Sequence, residues 1–137
     1  MPNYYLHMKR SDFIQLSAFA AAAISLPFLH SCSPPKGARE FSTPGFLSRL
    51  FDEKTIKEAG KAYLQKMPAE KDEDKLIQLL SGNGAMARSA DEKAIHQYLD
   101  QIVREDFEKG NTVLVKGWVL SVTEARQCAL YALVNGE

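Results

Sequence analysis

Between Phe13 and Leu29 the only polar side chains are Gln15, Ser17 and Ser25, with Lys9 and Arg10 just ahead of the run and Ser31 and Cys32 just behind it. A basic n-region, an apolar h-region and a small residue before a cut make an export signal rather than part of a folded domain. The apolar stretch is about 17 residues, the low edge of what crosses a ~30 Å hydrocarbon core, and Pro27 interrupts it, so a cleaved signal is favoured over a permanent helix. Of the 137 residues, only about a hundred are then left to build a core. A domain of that size buries roughly two thirds of its unfolded surface, enough to fold without staples.

The end of the signal carries a second pattern. Leu29-His30-Ser31-Cys32 resembles the lipobox of bacterial lipoproteins, in which an aliphatic residue stands three places before the Cys and a small one just before it; His30 departs from the pattern. The resemblance implies cleavage before Cys32, lipidation of its thiol and a membrane anchor on the periplasmic side. Several acyl chains at about 0.8 kcal/mol per buried methylene hold durably. The other reading is a soluble periplasmic protein cleaved nearby. Lys9-Arg10-Ser11-Asp12-Phe13 also resembles the twin-arginine export motif through Lys9, Arg10 and Phe13, with Ser11 where the second Arg belongs. The export route stays open between that pathway and the general one.

Residues 33–42 read as a tether, because Pro34-Pro35-Lys36-Gly37 cannot continue a helix and shows no apolar alternation. Residues 43–137 read as a mainly α domain of about four to five helices, with a short β-hairpin before the last. Thr43-Pro44 offers a cap and a Pro at the first helical position, with Phe46, Leu47, Leu50 and Phe51 as one apolar face. Asp52 caps a second helix carrying Ile56, Ala59, Gly60, Tyr63, Leu64 and Met67, stopped at Pro68. Glu70, Asp72, Glu73 and Asp74 form a solvated acidic start for Leu76 to Leu80, which ends at Ser81-Gly82-Asn83-Gly84. Ser89 with Glu92 reads as a capping box for the longest helix, running to Gly110. Thr112 to Val115 and Trp118 to Leu120 are β-branched and aromatic runs around Lys116-Gly117, a hairpin too small to stand alone. Ser121 with Glu124 is a second capping box, opening the last helix.

The composition narrows the function classes. Seventeen basic residues balance seventeen acidic ones, so no electrostatic footprint for a nucleic acid exists. Two Cys and three His without paired spacing exclude a disulfide scaffold or zinc module. Gly82-Asn83-Gly84 lacks the residues that complete a phosphate loop and reads as a turn. Glu92 stands one helical turn before His96, a carboxylate-histidine pair in principle and a surface pair in the commoner case. A nucleophile would have to be Cys128 or Ser121 meeting His96, whereas Cys128 reads more simply as a small buried hydrophobe.

Asp106-Phe107-x-x-Gly110-x-Thr112-Val113-x-Val115-x-Gly117-Trp118-x-Leu120-Ser121-x-Thr123-Glu124-Ala125-Arg126-x-Cys128-Ala129-Leu130, together with Gly60-x-x-Tyr63-Leu64-x-x-x-Pro68, is similar to the small, signal-bearing subunits that accompany FAD-dependent gluconate, sorbitol and glucoside dehydrogenases, related loosely to the gluconate 2-dehydrogenase subunit 3 family. The resemblance covers the signal and roughly two thirds of the mature chain. It implies a non-catalytic subunit without a cofactor of its own, which binds, matures or anchors a flavoprotein catalytic subunit carrying the FAD. Trp118, Val113, Val115 and Leu120 of the hairpin are the expected partner-binding residues, since Trp is enriched at interface hot spots. The competing reading of Trp118 is a plug in the chain's own core. Arg126 is either an interface donor or an internal ion-pair partner. The alternative of another class is a free-standing envelope lipoprotein acting as adaptor or structural protein.

Overall fold

A computed structural model describes residues 37–86 and 91–136; Lys9, Arg10, Phe13 and Cys32 lie outside the described residues. The chain forms α1 (Ala38–Ser42), α2 (Leu47–Leu50), α3 (Glu53–Lys66), a 3-10 turn (Pro68–Glu70), α4 (Glu73–Leu80), α5 (Glu92–Lys109), strands β1 (Thr112–Val115) and β2 (Trp118–Ser121), and α6 (Val122–Val134). This is the mainly α domain expected, with the hairpin directly before the last helix.

The last helix is the axis of the fold. Helices α1, α3, α4 and α5 and both strands pack against α6. Ala125, Cys128, Ala129, Leu130 and Ala132 are buried on it, as are Thr123, Glu124 and Gln127. A helix buried nearly all round must satisfy its first N–H groups internally, because water cannot reach them. Ser121 Oγ accepts from the Glu124 N–H at 2.9 Å and the Glu124 carboxylate accepts from the Ser121 N–H at 3.0 Å. That is the full capping box. Two neighbours complete it: Asp106 Oδ2 accepts from the Thr123 N–H at 2.9 Å and the Asn111 carbonyl from the Val122 N–H at 3.0 Å.

Helix α3 lies closest to this axis, and Gly60 is the reason. A Cβ there would sit 2.0 Å from the Cys128 carbonyl oxygen and 2.8 Å from the Ala129 nitrogen. Any side chain would push the two backbones apart. Asp52 caps α3 by accepting from the Thr55 N–H at 2.8 Å, as its sequence position predicts.

Four expectations need correction. The tether ends earlier than residue 42: Ala38–Ser42 is helical, Phe41 is fully buried, and Gln127 Nε2 donates to the carbonyls of Phe41 and Thr43. Composition hid this because one large side chain, Phe41, supplies the burial. Pro44 is not the first residue of a helix; α2 begins at Leu47 and is a single turn, too short to bury a face. Leu47 goes inside while Phe46 and Leu50 stay exposed. Asp91 caps α5, accepting from the Ala94 N–H at 2.8 Å, so the cap is not Ser89, which lies outside the described residues. Glu70 does not belong to the solvated acidic start, where Asp72 is the cap; it is turned inward on the 3-10 turn after Pro68.

Candidate partner-binding surface

The hairpin is built by its turn. Lys116 and Gly117 both take left-handed backbone, with φ of 50° and 85°, the pair of positive angles that a two-residue type I′ turn demands. The register pairs Val115 with Trp118, Leu114 with Val119 and Val113 with Leu120. Alternation then places Val113, Val115, Trp118 and Leu120 on one face and Leu114 with Val119 on the other. The first face meets the helices: Val115 and Leu120 are buried and Val113 is half-buried. The second is left to solvent, Leu114 being 55% and Val119 61% exposed.

Of the hairpin residues expected to bind a partner, Trp118 alone is open to solvent, at 54% exposure. Its ring meets Phe51 edge to face, with centroids 4.8 Å apart and planes at 71°. Trp118 thus packs on the domain through Phe51, and the rest of its side chain faces solvent. Val115 and Leu120 support the hairpin from inside, where a partner cannot touch them. Sequence reasoning passed over Leu114 and Val119, although period two counted outward from the Lys116-Gly117 turn would have found them. Two long-range contacts pin the hairpin to α3: Lys116 Nζ to Glu58 at 2.9 Å, and Lys66 Nζ donating to the Leu114 carbonyl. The ammonium of Lys116 holds the Glu58 carboxyl below its usual range.

Arg126 serves the interior. Its Nε and Nη2 donate to the two Glu70 carboxylate oxygens at 3.0 and 2.8 Å, a fork matched to a carboxylate, and the Tyr63 hydroxyl donates to Glu70 Oε2 at 2.8 Å. This triad ties the turn after α3 to α6. The Arg126 hydrogen bonds hold the Glu70 carboxyl below its ordinary range, with Tyr63 adding to the effect against the opposing cost of burial. Burial and the Glu70 charge push the Tyr63 phenol up to about 12. The residues that carry the family resemblance therefore meet one another: Gly60 touches Cys128, Tyr63 and Arg126 share Glu70, and Asp106 caps the helix that Ser121 and Glu124 open.

The nucleophile constellation is not assembled. Cys128 is fully buried, lines a small apolar cavity with Phe51, Ala59 and Trp118, and has its thiol pushed up to about 12 by burial. His96 lines a different groove, with Nε2 3.7 Å from Glu92 Oε1 at the surface, and the Ser121 hydroxyl is committed to the α6 cap. Among the described residues no three His, Cys, Asp or Glu side chains cluster as metal ligands, and no helix is long and apolar enough to cross a membrane. No protein-family model, curated protein or solved structure matches the chain.

Proposed function

We propose that this domain is the non-catalytic small subunit of an exported FAD-dependent sugar or polyol dehydrogenase, held at the periplasmic face of a membrane through Cys32 and docked to its flavoprotein partner by the hairpin. The observation that supports it most is the exposed pair Leu114 and Val119 on the outer face of the hairpin, whose inner face and turn are already fixed by the domain. An apolar patch on a rigid support is what a protein partner buries at the centre of an interface. The sequence resemblance supplies the partner's identity. Its carriers form the internal junction of α3 and α6, so it bears on this domain's architecture as well as on its role.

The experiment is recovery of the full chain from its native host through a C-terminal tag, with absorbance read near 450 nm for bound flavin. A stoichiometric flavoprotein is expected, and Val119→Asp should release it while the small subunit still folds. A colourless chain recovered alone would overturn the reading and leave the free-standing envelope lipoprotein as the better account.

A further inference from the structure

The two edges of the hairpin are not equivalent. Residues flanking a two-residue loop exchange both main-chain hydrogen bonds, and bonded and non-bonded pairs alternate from there. In this register Val115 bonds Trp118 and Val113 bonds Leu120, so the N–H and C=O groups of Thr112, Leu114, Val119 and Ser121 point away from the partner strand. The domain itself takes up outward groups at three of these positions. The Thr112 N–H donates to the Gly110 carbonyl, the Leu114 carbonyl accepts from Lys66 Nζ, and the Ser121 N–H donates to Glu124. Ser121, as the N-cap, also gives its carbonyl to the first turn of α6. Neither outward group of Val119 has a partner among the described residues, and Val119 is 61% exposed.

An unpaired N–H and C=O on a strand edge are a template for another strand. A long foreign strand fits this edge poorly, because Ser121 closes the ladder at the α6 end and the stranger's further outward groups would go unmatched. A second β2 fits it. Two copies set antiparallel about a two-fold axis beside Val119 exchange both bonds there, N–H to C=O in each direction, and satisfy the edge on both sides. Leu114 and Val119 of one copy then continue into Val119 and Leu114 of the other as a single apolar row on one face of the sheet. Trp118 of each copy comes opposite Leu120 of the other. No charged side chain stands in the paired segment Trp118 to Leu120, so no like-charge pair opposes the arrangement. Two strands alone are marginal, and the pairing makes four.

We infer that a second copy of this chain adds its β2 to β2 along the Val119 edge, forming a four-stranded antiparallel sheet across a two-fold axis. The inference does not depend on the flavoprotein reading, because the pairing uses the strand edge and leaves the outer face of Leu114 and Val119 open to another protein.

The test is disulfide trapping of the full-length chain in mild detergent, with Val119→Cys and Leu114→Cys compared with the parent under one mild oxidant. A bonded antiparallel pair has Cα atoms about 5.5 Å apart, within the range a disulfide spans, whereas the two Leu114 positions would be three strand spacings apart, about 14 Å. Val119→Cys should therefore cross-link at least about tenfold faster than Leu114→Cys, and Leu114→Cys no faster than the parent. Val119→Pro removes an outward N–H and no bond within the hairpin. By sedimentation equilibrium it should be monomeric at concentrations where the parent has twice the chain mass, with its helical circular dichroism unchanged. Equal trapping at the two positions overturns the inference, as does a parent of monomer mass throughout the concentration series or a Val119→Pro chain that still dimerises. Absorbance near 450 nm separates the two readings: a colourless trapped dimer removes the flavoprotein and keeps the pairing, and a flavin-bearing complex with a single copy of this chain does the reverse.

Discussion

The junction of α3 with α6 and the hairpin beside it obey opposite rules. At the junction every polar group is matched. Glu70 holds Arg126 and Tyr63, the α6 N–H groups have acceptors, and Gly60 admits a neighbouring carbonyl where no side chain could fit. On the hairpin, Leu114 and Val119 face outward with nothing over them among the described residues. The difference teaches where each region's sequence is constrained. The junction is specified by its own chain, so substitutions there cost folding; the outer hairpin face is not, so substitutions there should cost association.

The sharpest way to break this contrast is Gly60→Ala. The added methyl meets helix backbone rather than a mobile side chain, so α3 and α6 must separate, and a loss of about 3 kcal/mol or more in urea unfolding is expected. A loss under half that size would mean the junction yields more easily than its geometry implies. Arg126→Ala comes next, since it strands the Glu70 carboxylate, which is only 7% exposed. About 3 kcal/mol is expected for an orphaned buried charge, whereas Glu70→Leu combined with Arg126→Met should cost clearly less than Arg126→Ala alone. If the double variant were the worse one, the triad would be worth its full attraction rather than the avoidance of an unpaired charge.

The same triad gives a pH signature on both sides of neutrality. Hydrogen bonds from Arg126 hold the Glu70 carboxyl below the ordinary 4.5 in the folded chain. Its contribution is therefore complete above 4.5 and is lost as the pH falls through the lowered folded value. Glu70→Gln should flatten that acid limb relative to the parent, and comparing the pair removes the opposing slope of Glu124, whose carboxyl burial raises. Tyr63 acts at the other end: its phenol moves from 10.0 to about 12 on folding, so stability should fall as the pH rises from 10 toward 12 and Tyr63→Phe should remove that limb. The smallest stability effect belongs to the hairpin. Val119→Asp should alter unfolding by no more than about 0.5 kcal/mol. A large loss there would show that the outer face belongs to the folded core after all.

How legible the molecule is follows the range of the interaction. Caps at Asp52 and Ser121 and the left-handed end at Gly110 are local, needing one side chain and the N–H groups within a turn of it, and the sequence read them correctly. Glu70 was misread because its partners Arg126 and Tyr63 are 56 and 7 positions away, and a carboxylate in an acidic cluster looks solvated until a distant cation is placed on it. The helical turn Ala38–Ser42 escapes the sequence for a related reason: only the approach of α6 makes a short segment after two prolines worth folding. The surface was half legible. Trp118 stood out by residue type, whereas Leu114 and Val119 needed the turn type before alternation could assign them a side.

The grip of Gln127 on the carbonyls of Phe41 and Thr43 fixes the point at which the chain leaves the domain, and that sets a leash. From Gly37, the residue before α1, back to Cys32 there are five residue steps, and fully extended chain covers at most about 3.6 Å per step. Were Cys32 to carry the lipid proposed above, at most about 18 Å of chain would separate Gly37 from that anchor.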